Sequence, residues 1–231
     1  KATAGKKSVT VEYEDKAGAQ TLEVDKLVVA VGRRPVTENL FADDAGIQLD
    51  ERGFVVVDDD CRTRVKGVYA IGDCVRGPML AHKGSEEGVM VADLIAGEIA
   101  EMNYDVIPSV LYTNPEIAWA GKTEAEVKES GRAYKTGQFP FMASGRAKAM
   151  EQTSGFVKII SSEDDDEILG VHIVGPMAGE LISEAVLALE FSASTEDLQR
   201  TIHAHPSLAE AVHEAALAVD NKALNFPNRP S

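Results

Sequence analysis

The segment His203-Ala204-His205-Pro206-Ser207-Leu208-Ala209-Glu210 has residue types spaced for acid-base chemistry. Proline keeps the residue before it out of the helical region, and is itself at home in the first turn of a helix. His205 is therefore expected on extended backbone. Pro206 should open a helix whose apolar stripe is Leu208, Ala209, Val212, Ala215 and Ala216, with Glu210, Glu214 and Asp220 facing elsewhere. Glu210 falls about one turn into that helix, where a carboxylate can accept from one imidazole nitrogen, fix the tautomer and raise the basicity of the other. That is the layout of a general acid-base dyad. On this segment alone, a loop histidine beside a capping glutamate is the commoner arrangement.

A second constellation surrounds Asp73. Residues 67–73, Gly-Val-Tyr-Ala-Ile-Gly-Asp, read as a buried strand that delivers the aspartate at its carboxyl end, beside Gly72. Open α/β sheets bind ligands at that end, and an ionised carboxylate there accepts from sugar-alcohol hydroxyls. Met79, Leu80, Ala81 and His82 then lead into a helix over 81–95, with Gly84, Gly88 and Ala92 on a small-residue face. Backbone N–H groups at its start suit an electron-rich ligand edge. For His82 alone, capping the helix is a commoner role than catalysis. Gly32 ends the apolar run 27–31, expected as a buried strand, and its missing side chain would let a ligand approach the backbone. A turn glycine is the plain alternative.

The elements that must position these residues fall into two groups. Before residue 104, alternating runs at 8–13 and 21–24 flank a turn at 15–18, and further strands are expected at 27–31, 54–57 and 67–73. After about residue 108, strands are expected at 110–112, 117–121, 134–139, 155–160 and 168–174. Helices are expected over 123–130, opened by a Thr123/Glu126 capping box, over 178–191, and from Ser194 toward Ile202. The first group reads as α/β and the second as α+β. The helix over 178–191 is apolar around much of its circumference, which suggests a partner surface. The tail from Asn221 is expected to be loose or strung along such a surface.

With 231 residues and 44% hydrophobic content, the chain can bury one good core or two small ones. A net charge of -15 argues against nucleic acid, whose phosphates it would repel. No apolar run is long enough to span a bilayer and no signal peptide opens the chain, so a soluble protein is expected. Cys61 and Cys74 are too far apart for a short redox pair and fit small apolar packing in a reducing compartment. No metal site is expected. The acidic run 163–167 reads as a solvated hairpin tip, since its carboxylates would point in opposite directions along a tight turn.

The His-Pro…Glu segment resembles the signature of the flavoprotein disulfide reductases, and its wording is similar to the dihydrolipoyl dehydrogenase branch. There Thr is usual at the place of Ser207 and Ser at that of Ala209. Gly-Val-Tyr-Ala-Ile-Gly-Asp followed by Met-Leu-Ala-His-Lys resembles the second FAD motif of that family. Tyr-Thr-x-Pro-Glu-Ile-Ala-Trp and Gly-Pro-x-Ala-Gly-Glu-Leu-Ile resemble its interface domain. The resemblance covers essentially the whole chain, but only the C-terminal part of the family's sequence. It implies the end of an NAD-binding domain (1–38), the second segment of an FAD-binding domain (39–107) and an α+β interface domain (108–231). It implies FAD and NAD as cofactors, Asp73 on the ribityl chain, Met79, Leu80, Ala81 and His82 meeting the flavin through backbone, and Gly32 against NAD. His205 would be the proton acceptor and Glu210 its orienting partner, serving the other subunit of a homodimer. His203 would be a structural neighbour. Dihydrolipoamide oxidation implies a lipoyl-bearing acyltransferase core of a 2-oxoacid dehydrogenase complex as partner, in the bacterial cytoplasm or else the mitochondrial matrix. The family's N-terminal FAD and NAD glycine fingerprints and its redox cysteine pair do not occur in the chain. A non-catalytic dimerisation module therefore stays open, as do glutathione-reductase-like, mercuric-reductase-like and soluble transhydrogenase relatives.

Overall fold

A computed structural model describes residues 1–228 of the chain, which folds as two units, Lys1–Val91 and Ala92–Ser231. In the first unit, β1 (Ala2–Ala4), β2 (Val9–Asp15) and β3 (Gly18–Val24) form an antiparallel sheet in that order. The turn between β2 and β3 forms because Asp15 accepts from the Ala17 N–H at 2.8 Å and Gly18 takes φ +101°.

The other strands expected in this unit do not form. Residues 27–31 carry no strand, and Val28 and Val31 are 85% and 92% exposed. Residues 54–57 contribute a single bridge, Leu49 to Val55, and residues 67–73 another, Arg62 to Tyr69, before a 3-10 turn over Gly72–Cys74. The physical reason is pairing. An apolar run reports a tendency to be buried, but a strand exists only where a neighbouring backbone completes its ladder. No described residues supply that neighbour. Helix α1 (Ala81–Ala96) does form, and its glycine face has a use. A Cβ on Gly84 would sit 3.0 Å from Gly72 Cα, so the two backbones touch.

The second unit is built on a five-stranded antiparallel sheet. Its strands are β4 (Ser109–Leu111), β5 (Glu116–Gly121), β6 (Tyr134–Pro140), β7 (Phe156–Ser162) and β8 (Ile168–Gly175), in the order β4-β5-β8-β7-β6. Helix α2 (Glu124–Ser130) starts with the expected Thr123/Glu126 capping box, and α3 (Gly145–Ala149) is a short turn of helix after β6. Then come α4 (Ala178–Glu190), α5 (Thr195–Arg200) and α6 (Glu210–Val219). Side chains alternate across β7, so Ile159 joins the main core with Ile182, Ala185, Val212 and Ala215, while Ile160 meets Val127 and Leu169. Helix α6 lies directly on the sheet: a Cβ on Gly137 would fall 2.1 Å from the Ala215 carbonyl.

Two sequence expectations for this unit are corrected and a third is extended. Glu214 does not face solvent. It is 4% exposed, accepts from the Leu224 N–H at 2.9 Å, and pairs with the Asn225 amide. The tail through Asn228 is consequently fixed, with Asn228 bonded both ways to Ala223 and Phe226 edge-on to Phe139; residues 229–231 lie outside the described residues. The acidic run is the exposed hairpin tip expected, and it is tied down as well. Arg132 pairs with Asp165 and Glu167, and Asp166 accepts from the Thr195 hydroxyl at 2.7 Å and the Glu196 N–H at 3.0 Å, capping α5.

Candidate active site and cofactor turn

In the second unit His205 and Glu210 are brought together: His205 Nδ1 lies 2.7 Å from Glu210 Oε1. The helix begins at Glu210, not at Pro206. The cause is local, because Ser207 and Glu210 bond reciprocally, with Ser207 N–H on Glu210 Oε2 at 2.8 Å and Glu210 N–H on Ser207 Oγ at 3.3 Å. This repeats the geometry of a capping box and turns residues 207–209 back before α6. Glu210 thus uses one oxygen on backbone and the other on imidazole. Burial raises its pKa, but the Ser207 N–H, His205 and His203 outweigh that, and it stays below the ordinary carboxylate value. An ionised Glu210 accepts a hydrogen bond from Nδ1–H of His205, leaving its Nε2 with a lone pair. The His205 side chain is 78% exposed, so that lone pair is open to a substrate.

His203 is held separately. Its Nε2 is 2.6 Å from Glu184 Oε1 on α4, and its Nδ1 is 3.0 Å from the Thr201 carbonyl and 3.2 Å from His213 Nδ1 on α6. Its side chain is 7% exposed. It ties down the segment before His205, while Glu210 ties down the segment after it. Nothing in the local sequence marks Glu184 or His213 for this part.

In the first unit Asp73 sits on the 3-10 turn, its carboxylate half exposed and 3.2 Å from Arg33 Nη1. The Arg33 guanidinium also donates to the Met79 carbonyl, bridging the two halves of the expected flavin motif. Leu80 N–H closes a tight turn on the Pro78 carbonyl at 3.0 Å, and Ala81 and His82 are exposed in the first turn of α1. Gly32 has φ +122° and open space around its Cβ position. An acceptor-only carboxylate on a turn beside glycine backbones suits the hydroxyl donors of a polyhydroxy chain.

Two residues of α1 that hold this turn escaped the sequence reading. Lys83 and Glu87 are both fully buried, 3.1 Å apart. Lys83 Nζ donates to the Gly72 carbonyl at 3.0 Å and the Arg76 carbonyl at 2.8 Å, and Glu87 Oε2 accepts from the Gly72 N–H at 2.7 Å. Their i,i+4 spacing was the available signal. Neither cysteine is in a disulfide; Cys61 is buried, and the Cys74 thiol donates to the Ile71 carbonyl. Among the described residues no helix is long and apolar enough to cross a membrane.

Residues 1–88 match the pyridine nucleotide-disulphide oxidoreductases, and residues 107–216 match the dimerisation domain of the same proteins. The chain belongs to the pyridine nucleotide-disulphide oxidoreductase family. It is 58% identical over 225 residues to the dihydrolipoyl dehydrogenase of Cupriavidus necator, covering 97% of this chain and 48% of that one. Against the Trypanosoma brucei brucei enzyme the identity is 53%, covering 96% and 47%; against the mitochondrial enzyme of Sus scrofa it is 48%, covering 96% and 44%. The chain spans about half the length of these relatives. Among solved structures it is similar to LpdA from Mycobacterium tuberculosis (TM-score 0.85, 29% identity, 93% of this chain and 46% of that one). The HOCl-induced flavoprotein disulfide reductase RclA from Escherichia coli follows at TM-score 0.83 and 27% identity, with 93% and 49% covered. Flavoprotein disulfide reductases of this family use FAD and NAD.

Proposed function

We propose that the chain is the C-terminal portion of an FAD-dependent dihydrolipoyl dehydrogenase that oxidises dihydrolipoamide with NAD as acceptor. The observation that carries this is the His205–Glu210 pair, with an exposed imidazole whose Nδ1 is held by an ionised carboxylate. A thiolate, not a thiol, is the nucleophile toward a disulfide, so the substrate's thiol proton must be taken. His205 Nε2 accepts it, and Glu210 stabilises the resulting imidazolium and fixes the ring. FAD, when bound, supplies the two-electron relay between the dithiol and NAD. On this reading Asp73 holds the ribityl hydroxyls, and the backbone at Met79, Leu80, Ala81 and His82 meets the flavin. Gly32 then lies against NAD. The domains divide at 1–38, 39–107 and 108–231.

The redox disulfide is not among this chain's residues, so it comes from outside them. The second unit would pair as a homodimer through its uncovered apolar residues, among them Leu187, Phe191, Ile202 and Tyr112, all at least 60% exposed. A stable interface of this kind is on the order of 2,000 Å² or more. In the parent complex the partner is the lipoyl-bearing acyltransferase core, in the bacterial cytoplasm. Assaying the full-length protein with dihydrolipoamide and NAD tests the reading. Turnover there, with none toward glutathione disulfide or mercuric ion, is the expected result, and the reverse preference would reject it.

A further inference from the structure

We infer that Lys83 and Glu87 are positioning residues for the flavin site: a buried latch that sets the Gly72–Arg76 turn and, through it, the aim of Asp73. This rests on the flavin reading of Asp73. The 3-10 turn over Gly72–Cys74 has no side-chain cap of its own, because its N-cap residue is Ile71. Glu87 supplies the missing acceptor from a different element, taking the Gly72 N–H at 2.7 Å. Lys83 closes the other side, donating to the carbonyls of Gly72 and Arg76, so the residues that bracket Asp73 are gripped from both ends. The fit is close. Gly72 takes φ +75°, and any side chain on Gly84 would press on it.

Stability alone gives a poor reason for this pair. Both charges are removed from water, and a buried ion pair is commonly no better than an apolar pair of similar volume. What an apolar pair cannot do is hold three backbone groups of one turn. The latch therefore fixes geometry, and the ligand-facing carboxylate inherits it.

The test uses the full-length flavoprotein. Lys83→Met/Glu87→Leu removes both charges together, and Glu87→Asp keeps the ion but shortens its reach to Gly72. Both should fold, Glu87→Asp with an apoprotein melting temperature near wild type and the double variant with a lower one, while FAD dissociates about ten-fold or more readily, the scale of one or two lost hydrogen bonds. Amide exchange at Gly72 should lose protection in each. Lys83→Met/Glu87→Gln, which returns an acceptor to Gly72, should regain most of the FAD affinity. Wild-type FAD affinity in the folded Glu87→Asp variant overturns the latch, even if the double variant does not fold. Asp73→Ala separates the two levels. If it keeps its FAD, the flavin reading falls and the latch with it; if it loses FAD while the latch variants retain theirs, the latch alone is overturned.

Discussion

Glu87 and Glu210 are built to the same plan and, on the proposed reading, put to different uses. Each carboxylate gives one oxygen to a backbone N–H, Gly72 at 2.7 Å or Ser207 at 2.8 Å, and the other to a basic side chain, Lys83 at 3.1 Å or His205 at 2.7 Å. Burial separates them. The Lys83–Glu87 pair is 0% exposed on both sides, whereas the His205 imidazole is 78% exposed above a carboxylate at 30%. A pair that only holds backbone can be sealed, and sealing makes its bonds stronger and their loss costlier. A pair that must exchange a proton with a substrate has to leave one nitrogen open.

That contrast orders the expected effects of breaking such pairs on stability. Lys83→Met alone leaves Glu87 buried without its counter-ion and should destabilise the first unit by about 3–5 kcal/mol in denaturant unfolding. A loss under about 1 kcal/mol would show that the pair is not sealed as described. Asp220 lies between the extremes. Burial pushes its pKa up, but hydrogen bonds from Gln199, Lys135 and Lys222 bring it down to about 2. Because the folded value is depressed, its contribution is present at neutral pH and fades as pH falls from the ordinary 3.8 toward about 2. Asp220→Asn should cost about 1–2 kcal/mol at pH 7, and the gap between variant and wild type should narrow on acidification. A gap that stays constant down to acid pH would contradict this. Thr123→Ala, at the exposed α2 cap, should cost about 1 kcal/mol. His205→Gln should change stability least, within about 0.5 kcal/mol, because the imidazole is open to solvent.

The same contrast explains what could be read in the sequence. His205 and Glu210 were legible because proline and glutamate at those spacings carry local consequences that need no distant partner. The start of α6 was not, since the Ser207–Glu210 reciprocal bond competes with the preference of Pro206 for a first turn. In the second unit, alternation and capping residues placed the five strands and α2, α4 and α5 to within a few residues, because neighbours in sequence there are largely neighbours in the sheet; the short α3 went unread. Residues 27–31 misled for the opposite reason: their apolar run implies burial, and the backbone that would pair with it is not among the described residues. Lys83 and Glu87 read as ordinary charges on a helix surface. Their i,i+4 spacing signals a pair, but its burial depends on a turn seven to fifteen residues away, which that spacing does not announce.

The central claim is that the exposed His205 takes the substrate proton while the latch and Asp73 serve the flavin. Rapid-mixing reduction of the full-length His205→Gln enzyme by dihydrolipoamide, with FAD content measured on the same sample, tests it most directly. The account predicts a rate lower by about two to four orders of magnitude at unchanged FAD content, the worth of a positioned acid-base group, with a milder loss in Glu210→Ala. A near-normal rate in the His205 variant, or a loss of rate matched by a loss of FAD, would contradict it.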